Sequence, residues 1–210
     1  MRRRYIGKGV DDNTLLLLHF DDNLIDETGR NLGIQGNNIT YSSDSKFGKS
    51  IKFPDNSNII IPDNDDLILS PGKDMTIDFW IKGRRSDDYV ISLYGTQGSE
   101  SSPKGVQFSI SNNYLSFHND YDSNGYWISA NMPTNQWTHI ALVYLNNVFY
   151  LYKNGSRISS FTRSLSGYKN RIIIGQARDS SYSLNGFIDE YRISNIARWT
   201  KNFQVPEIPY

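Results

Sequence analysis

Gly186-Phe187-Ile188-Asp189-Glu190-Tyr191-Arg192-Ile193-Ser194, followed by Ala197-Arg198-Trp199-Thr200, sets two adjacent carboxylates inside an apolar run that alternates like a strand. A carboxylate in a buried strand needs a partner. The other end of the chain offers one: Leu15 to Leu18 leads into His19-Phe20-Asp21-Asp22, a second apolar run that ends in acids. If the two ends pair in one sheet, their acids converge, and a hard cation would satisfy them. Neighbours on a strand point to opposite faces, so Asp189 is expected toward Asp22 and Glu190 outward or at an edge, beside Arg192.

Outward from that stretch, strand signals recur with turn signals between them, and no run longer than about ten residues keeps a 3.6-residue apolar period. The chain reads as all-β. In Met75-Thr76-Ile77-Asp78-Phe79-Trp80-Ile81-Lys82, Met75, Ile77, Phe79 and Ile81 form a core face, and Thr76, Asp78, Trp80 and Lys82 the other. Tyr89 to Tyr94, Val106 to Ile110 and Tyr114 to His118 are shorter strands, the last two joined by the turn Ser111-Asn112-Asn113. Gln136 to Leu145 turns through Asn146-Asn147 into Val148 to Lys153, and Asn154-Gly155 turns the chain again, because Asn and Gly tolerate positive φ. Arg171 to Gly175 and Phe187 to Ile193 complete the strands, Asn195 to Trp199 reads as a helical turn, and Gly95 to Lys104 as a mobile loop. Asn38-Ile39-Thr40 and Asn154-Gly155-Ser156 match a glycosylation triplet but read as turn or strand chemistry.

Composition narrows the function. The 210 residues suffice for one domain, with a tail at 1–12, a domain at 13–203 and a second tail at 204–210. Formal charge is zero with Lys and Arg dispersed, so no nucleic-acid partner is expected. The longest apolar runs fall far short of the ~20 residues of a membrane helix, so no membrane insertion is expected, and no apolar stretch of leader length follows Arg2-Arg3-Arg4. Cysteine is absent, which excludes disulfides, thiolate nucleophiles and sulfur metal sites.

The order of these pieces resembles the LamG-like jelly rolls of the concanavalin A-like lectin/glucanase superfamily. The resemblance is carried by Leu17-Leu18-His19-Phe20-Asp21-Asp22-Asn23 with Asp26-Glu27-Thr28-Gly29, by Lys46-Phe47-Gly48-Lys49-Ser50-Ile51-Lys52-Phe53, and by Met75 to Ile81. Trp137-Thr138-His139-Ile140-Ala141, Leu151-Tyr152-Lys153-Asn154-Gly155 and Gly186 to Ile193 complete it. Ala197 to Thr200 with Phe203 and Pro206 is similar to the variant found in tailed-phage structural proteins. The resemblance implies a two-sheet antiparallel jelly-roll sandwich, and in many members a structural Ca²⁺, here expected on Asp22 and Asp189 with Asp21 or Asp26. The alternative is that Asp21-Asp22-Asn23 is a solvated turn and that Asp189 pairs with Arg192 or caps a backbone amide.

Glycan binding takes aromatic platforms with amides and carboxylates around them. In His118-Asn119-Asp120-Tyr121-Asp122-Ser123-Asn124-Gly125-Tyr126-Trp127, the rings of Tyr121, Tyr126 and Trp127 would stack on a sugar while Asp120, Asp122 and Asn124 orient it; the alternative is strand-end packing and turn chemistry. Trp80, a further glycan-binding candidate, lines a concave sheet or is covered by a loop or another subunit, and Trp199 closes a sandwich edge. The superfamily's hydrolases carry Glu-x-Asp-x-x-Glu on one strand, and Glu27, Glu100, Glu190 and Glu207 show no such spacing. His19, His118 and His139 lie far apart in sequence, and no phosphate loop or nucleophile elbow is present. The expectation is a non-catalytic binding module on a virion or other extracellular surface that engages a glycan or other virion proteins, alone or as a homo-oligomer. Met1 to Val10, with Arg2, Arg3, Arg4 and Tyr5, and Gln204 to Tyr210 are the expected partner contacts, the alternative being that both are disordered ends; a purely architectural virion protein and, last, a glycoside hydrolase are the alternatives for function.

Overall fold

The computed structural model describes residues 9–67, 69–70, 72–83, 88–96, 103–111, 113–119, 128–163, 171–176 and 183–210. Arg2, Arg3, Arg4 and Tyr5, and Asp120, Tyr121, Asp122, Asn124, Tyr126 and Trp127, lie outside the described residues. The strands are β1 (Thr14–Leu18), β2 (Gln35–Asn37), β3 (Thr40–Ser42), β4 (Ser50–Lys52), β5 (Asn58–Ile61), β6 (Met75–Lys82), β7 (Asp88–Thr96) and β8 (Pro103–Ser111). They continue with β9 (Tyr114–Asn119), β10 (Ile128–Asn131), β11 (Thr138–Leu145), β12 (Val148–Lys153), β13 (Ser156–Thr162), β14 (Ile172–Ile174) and β15 (Phe187–Ser194). Among the described residues they form two antiparallel sheets. Sheet A runs β13-β12-β11-β6-β15-β4-β3 with β1 also on β15, and sheet B runs β10-β9-β8-β7-β14-β5-β2. This is the expected all-β sandwich.

Alternation places the core between the sheets. Ile77, Phe79 and Ile81 of β6, Ile140 and Leu142 of β11, Ile188, Tyr191 and Ile193 of β15, and Phe108, Leu115, Phe117 and Ile174 of sheet B belong to one buried cluster. Burying each large side chain contributes roughly 1.5–3 kcal/mol, and edge-to-face and stacked ring contacts such as Phe79 on Phe108 (5.6 Å) and on Tyr191 (5.9 Å) orient them. The hairpin turns are as expected: Asn146 and Asn147 have φ of 50° and 65°, and Asn154 and Gly155 of 48° and 75°, positive at both central positions as two-residue hairpins require.

The two ends of the chain do pair. Leu18 lies opposite Tyr191, Leu17 opposite Arg192 and Leu16 opposite Ile193, while Phe187 and Ile188 of the same strand lie opposite Lys52 and Ile51. One edge of β15 is thus shared by β1 and β4. Asp189 and Glu190 fall at the handover between them. Three expectations are corrected. Asn195 to Trp199 forms a bend and extended chain rather than a helical turn, and the described helical element is the single 3₁₀ turn Asp65–Leu67. Gly95, Thr96, Pro103 and Lys104 lie in strands β7 and β8 rather than in a loop, with 97–102 outside the described residues. The segment 204–210 is not a free tail, for Tyr210 is buried at 9% exposure.

Candidate functional site

The acidic pair lies in a β-bulge. Asp189 opposes Trp80 and Arg192 opposes Asp78, so Glu190 and Tyr191 together face the single residue Phe79. Glu190, at φ 53°, is the extra residue. The bulge resets the alternation: Ile188, Tyr191 and Ile193 stay in the core, and Asp189 and Arg192 stand on the outer face of sheet A with Asp78 and Trp80. Glu190 is not an outward residue beside Arg192. It is 2% exposed, its Oε1 lies 2.8 Å from His19 Nδ1, and its Oε2 accepts the Tyr210 N–H at 3.0 Å.

Arg192 pairs instead with Asp78, donating through Nε and Nη2 at 3.1 Å each. Burial works to raise the Asp78 carboxyl, and Arg192 and His139 overcome it, holding it at about 2. The hydrogen bond from His19 to Glu190 raises the imidazole above its ordinary value despite burial. Tyr210 completes the cluster: its hydroxyl donates to Asp78 Oδ2, lies 3.0 Å from His139 Nε2, and its ring sits 3.6 Å beneath the Arg192 guanidinium.

The segment that carries Tyr210 crosses the outer face of sheet A. Thr76 Oγ1 donates to the Ile196 carbonyl and accepts the Arg198 N–H, and Arg198 donates to Ser194 and Asp11. Trp199 and Phe203 stack at 3.9 Å over Ala141, Val143 and Tyr152, a second small apolar cluster outside the main core. Trp199 therefore closes a sheet face rather than a sandwich edge. The loop between β3 and β4 covers the rest of that face.

In this loop the Lys46 and Phe47 N–H groups donate to Asp189 Oδ2 at 2.8 and 2.9 Å. Asp189 Oδ1 is buried without a hydrogen-bond partner, and burial, with Glu190 and Asp21 nearby, pushes the carboxyl up to about 7 against the two N–H bonds. The same loop removes Trp80 from any role as a sugar platform: it is 3% exposed, with Lys46 Nζ 4.2 Å above its ring, and Phe47 and His139 against its edges. Buried Asp78 and Thr76 line no open groove either, since the strap lies over them.

The four expected calcium ligands are each engaged by different donors, although Asp21 lies near Asp189. Asp22 is exposed and pairs with Lys49 Nζ at 2.6 Å, and Asp21 Oδ1 accepts the Lys49 N–H at 2.7 Å. Asp26 is buried, with Oδ1 on the Leu17 and Thr28 N–H groups and Oδ2 on the Thr28 hydroxyl. Among the described residues no three acidic or imidazole groups converge as a metal would require. Calcium needs six to eight oxygens, and as folded these carboxylates turn to N–H and O–H donors, with Asp189 Oδ1 left without one, so they do not form one oxygen cage.

The outer face of sheet B is built differently. Ser109, Ser116 and Ser129 align across β8, β9 and β10, and Tyr114 lies opposite both Ser111 and Asn131. Phe108, Leu115, Phe117, Ile128 and Ala130 alternate with them into the core. Tyr114 is 49% exposed and Ser129 and Asn131 are exposed, whereas Ser109 and Ser116 are buried. The sequence reading passed over this row because serine and asparagine on short strands carry no apolar period. The segment singled out for glycan binding, 120–127, follows β9 and precedes β10 in sequence and lies outside the described residues.

Comparison with known proteins agrees with the fold. No curated protein matches the chain. Similar solved structures include the binding domain of botulinum neurotoxin serotype D (18% identity, TM-score 0.66, 89% of this chain and 49% of that one). The binding domain of Paraclostridial Mosquitocidal Protein 1 is similar at 23% identity (TM-score 0.65, 93% and 50% covered), as is that of botulinum neurotoxin DC in complex with rat synaptotagmin II at 16% (0.68, 92% and 51%). The chain spans about half the length of these structures, which share its fold. Residues 51–201 match the laminin G-type profile, and the chain belongs to that family of the concanavalin A-like lectin/glucanases superfamily.

Proposed function

We propose that the chain is a non-catalytic binding module whose ligand face is the outer side of sheet B, at β9 and β10, and whose ligand is a glycan. The observation that carries this reading is the exposed group Tyr114, Ser129 and Asn131, set side by side on paired β9 and β10 next to the buried Ser109 and Ser116. A hydroxyl and an amide next to an aromatic ring are the groups that hold sugar hydroxyls and stack on a pyranose face. The opposite outer face is closed by the chain itself. Similar folds are those of botulinum neurotoxin DC binding domains in complex with SialylT and with rat synaptotagmin II, and of a botulinum neurotoxin type C whose cell entry depends on interaction with two ganglioside molecules; they support a binding role with a glycan or a protein partner. Hydrolysis is disfavoured because the clustered carboxylates Asp78, Asp189 and Glu190 are buried beneath the strap or the β3–β4 loop. Display on a virion surface is the setting supported by the resemblance of Ala197 to Pro206.

A glycan array with the full chain, repeated with Ser129→Arg and Trp80→Phe, tests the assignment. Glycan signals lost in Ser129→Arg and kept in Trp80→Phe are expected. Equal signals from both variants would move the site away from sheet B, and a silent array would favour the second reading. That reading, an architectural brick, draws on the long edge strand β13, with Ile158 44% exposed, as a surface for a second copy. A stable oligomer in native mass spectrometry would support it.

A further inference from the structure

The groups around Tyr210 form a site that stays assembled without it. Asp78 remains paired with Arg192 through two hydrogen bonds, and Glu190 Oε1 remains on His19. Asp78 Oδ2, His139 Nε2 and Glu190 Oε2 are the atoms that turn to Tyr210, and the Arg192 guanidinium offers its face to the ring. Binding groups held in place by other contacts are preorganised, and a ligand meets them without ordering them.

The segment that fills the site is attached like a ligand. None of residues 195–210 belongs to the main core cluster. Phe203 anchors one end, with its N–H on the Gly155 carbonyl and its ring on Trp199, and Tyr210 anchors the other. Between them Gln204, Glu207, Ile208 and Pro209 are exposed, Ile208 at 73%, and Gln204 bonds to Glu207 within the segment. Pro206 and Pro209 hold such a segment extended at low entropic cost. We propose that the cradle of Asp78, His139, Glu190 and Arg192 is a peptide-binding site for a tyrosyl group on an extended, proline-containing segment. It is occupied in cis by 204–210 and takes the same segment in trans when the cis anchor is removed.

The full chain with Tyr210→Ala vacates the cradle, and the probe is a fluorescein-labelled peptide of sequence Gln204 to Tyr210. Saturable binding to Tyr210→Ala is expected, at least tenfold tighter than to the parent chain, whose tethered segment competes at high effective concentration. The peptide carrying Phe at the tyrosine position should bind about tenfold more weakly, from loss of the hydroxyl bonds. Equal binding of the peptide to both chains, or none to a cooperatively melting Tyr210→Ala, would overturn the proposal. Hydrogen exchange on the parent chain decides the matter should the variant misfold. The amides of 204–210 should exchange by local opening, well ahead of β6 and β11, whereas protection equal to those strands would make the segment a permanent part of the fold and refute a reversible site.

Discussion

Asp189→Asn isolates one titration. In the folded chain this carboxyl sits at 0% exposure, takes two backbone N–H bonds on Oδ2, leaves Oδ1 unpartnered, and is raised from 3.8 to about 7 by burial and by Glu190. A folded pKa above the unfolded one means that the native state binds the proton more tightly. Stability from this group is therefore full below pH 3.8 and is lost as the pH climbs to 7. About three pKa units at about 1.4 kcal/mol each amount to a loss of roughly 4 kcal/mol across that window. In a domain of this size, where each kcal/mol moves the midpoint by about 2–4 °C, the melting temperature should fall by roughly 8–16 °C.

The asparagine keeps the shape and the acceptor for Lys46 and Phe47 and has no charge to lose. Its buried amide N–H₂ adds an offset of about 1–3 kcal/mol that does not vary with pH. His19, also raised and so also weakening the fold as pH rises, titrates in both proteins and cancels in the difference. Thermal melts of parent and variant at half-unit intervals from pH 4 to pH 8 should show the parent losing roughly 4 kcal/mol relative to Asp189→Asn, most of it by pH 7. A difference flat to within about 1 kcal/mol would refute a buried, strained carboxyl at this position.

Further perturbations test the rest of the outer face of sheet A. Arg192→Met leaves Asp78 charged in a closed site and should destabilise by about 3–5 kcal/mol in urea titration, whereas the double variant Asp78→Leu/Arg192→Met should recover much of that. On the acid side, Asp78 at about 2, and Asp11, held well below the usual range by its hydrogen bond to Arg198, contribute stability that vanishes as pH falls through those values; the midpoint should drop below pH 4, and Asp11→Asn should blunt the fall. Gly9→Ala would drive a methyl group into the Tyr210 backbone at a positive-φ position, and should raise hydrogen exchange in 204–210 while leaving β6 and β11 protected. EDTA should leave the melting midpoint within about 1 °C of its value in millimolar Ca²⁺, because Asp21, Asp22, Asp26 and Asp189 turn to separate donors; a rise of several degrees on adding Ca²⁺ would show that they rearrange around the ion.

The central strands and the long hairpin were legible because their physics is local. Alternating Ile, Phe and Leu declare β6, β11 and β15, and Asn146-Asn147 and Asn154-Gly155 declare positive φ. Strands β2, β3, β10 and β13 were not recognised as strands, because Gln-Gly-Asn or Ser-Arg-Ile-Ser-Ser-Phe-Thr becomes a strand only through a neighbour that supplies the hydrogen bonds. The bulge at Glu190 was illegible for a related reason: a glutamate at φ 53° carries no glycine signal, and what holds it there is His19 from β1 and the N–H of Tyr210. A trace of the cradle was present in the sequence. Asp78, His139 and Arg192 each sit on the non-core face of a strongly apolar strand, and one ionisable group on each of three central strands points to a shared buried cluster.

The extra residue in β15 explains why the two outer faces of the sandwich differ. A regular strand would send Glu190 or Tyr191 to the wrong side. With the bulge, Ile188, Tyr191 and Ile193 remain core while Asp189, Glu190 and Arg192 all leave it, which concentrates ionisable groups on the outer face of sheet A beside Asp78 and His139. Those groups bond to one another and are fully desolvated only when something lies across them, and the chain supplies that cover twice, with the β3–β4 loop over Trp80 and Asp189 and the Ile196–Tyr210 strap over Thr76 and Asp78. On sheet B the outward Ser109 and Ser116 are buried but carry no charge, and the exposed Ser129 and Asn131 are equally at ease in water or against the hydroxyls of a ligand. The open part of the outer surface of sheet B is the exposed Tyr114, Ser129 and Asn131, whereas the closed face of sheet A holds its own tyrosine.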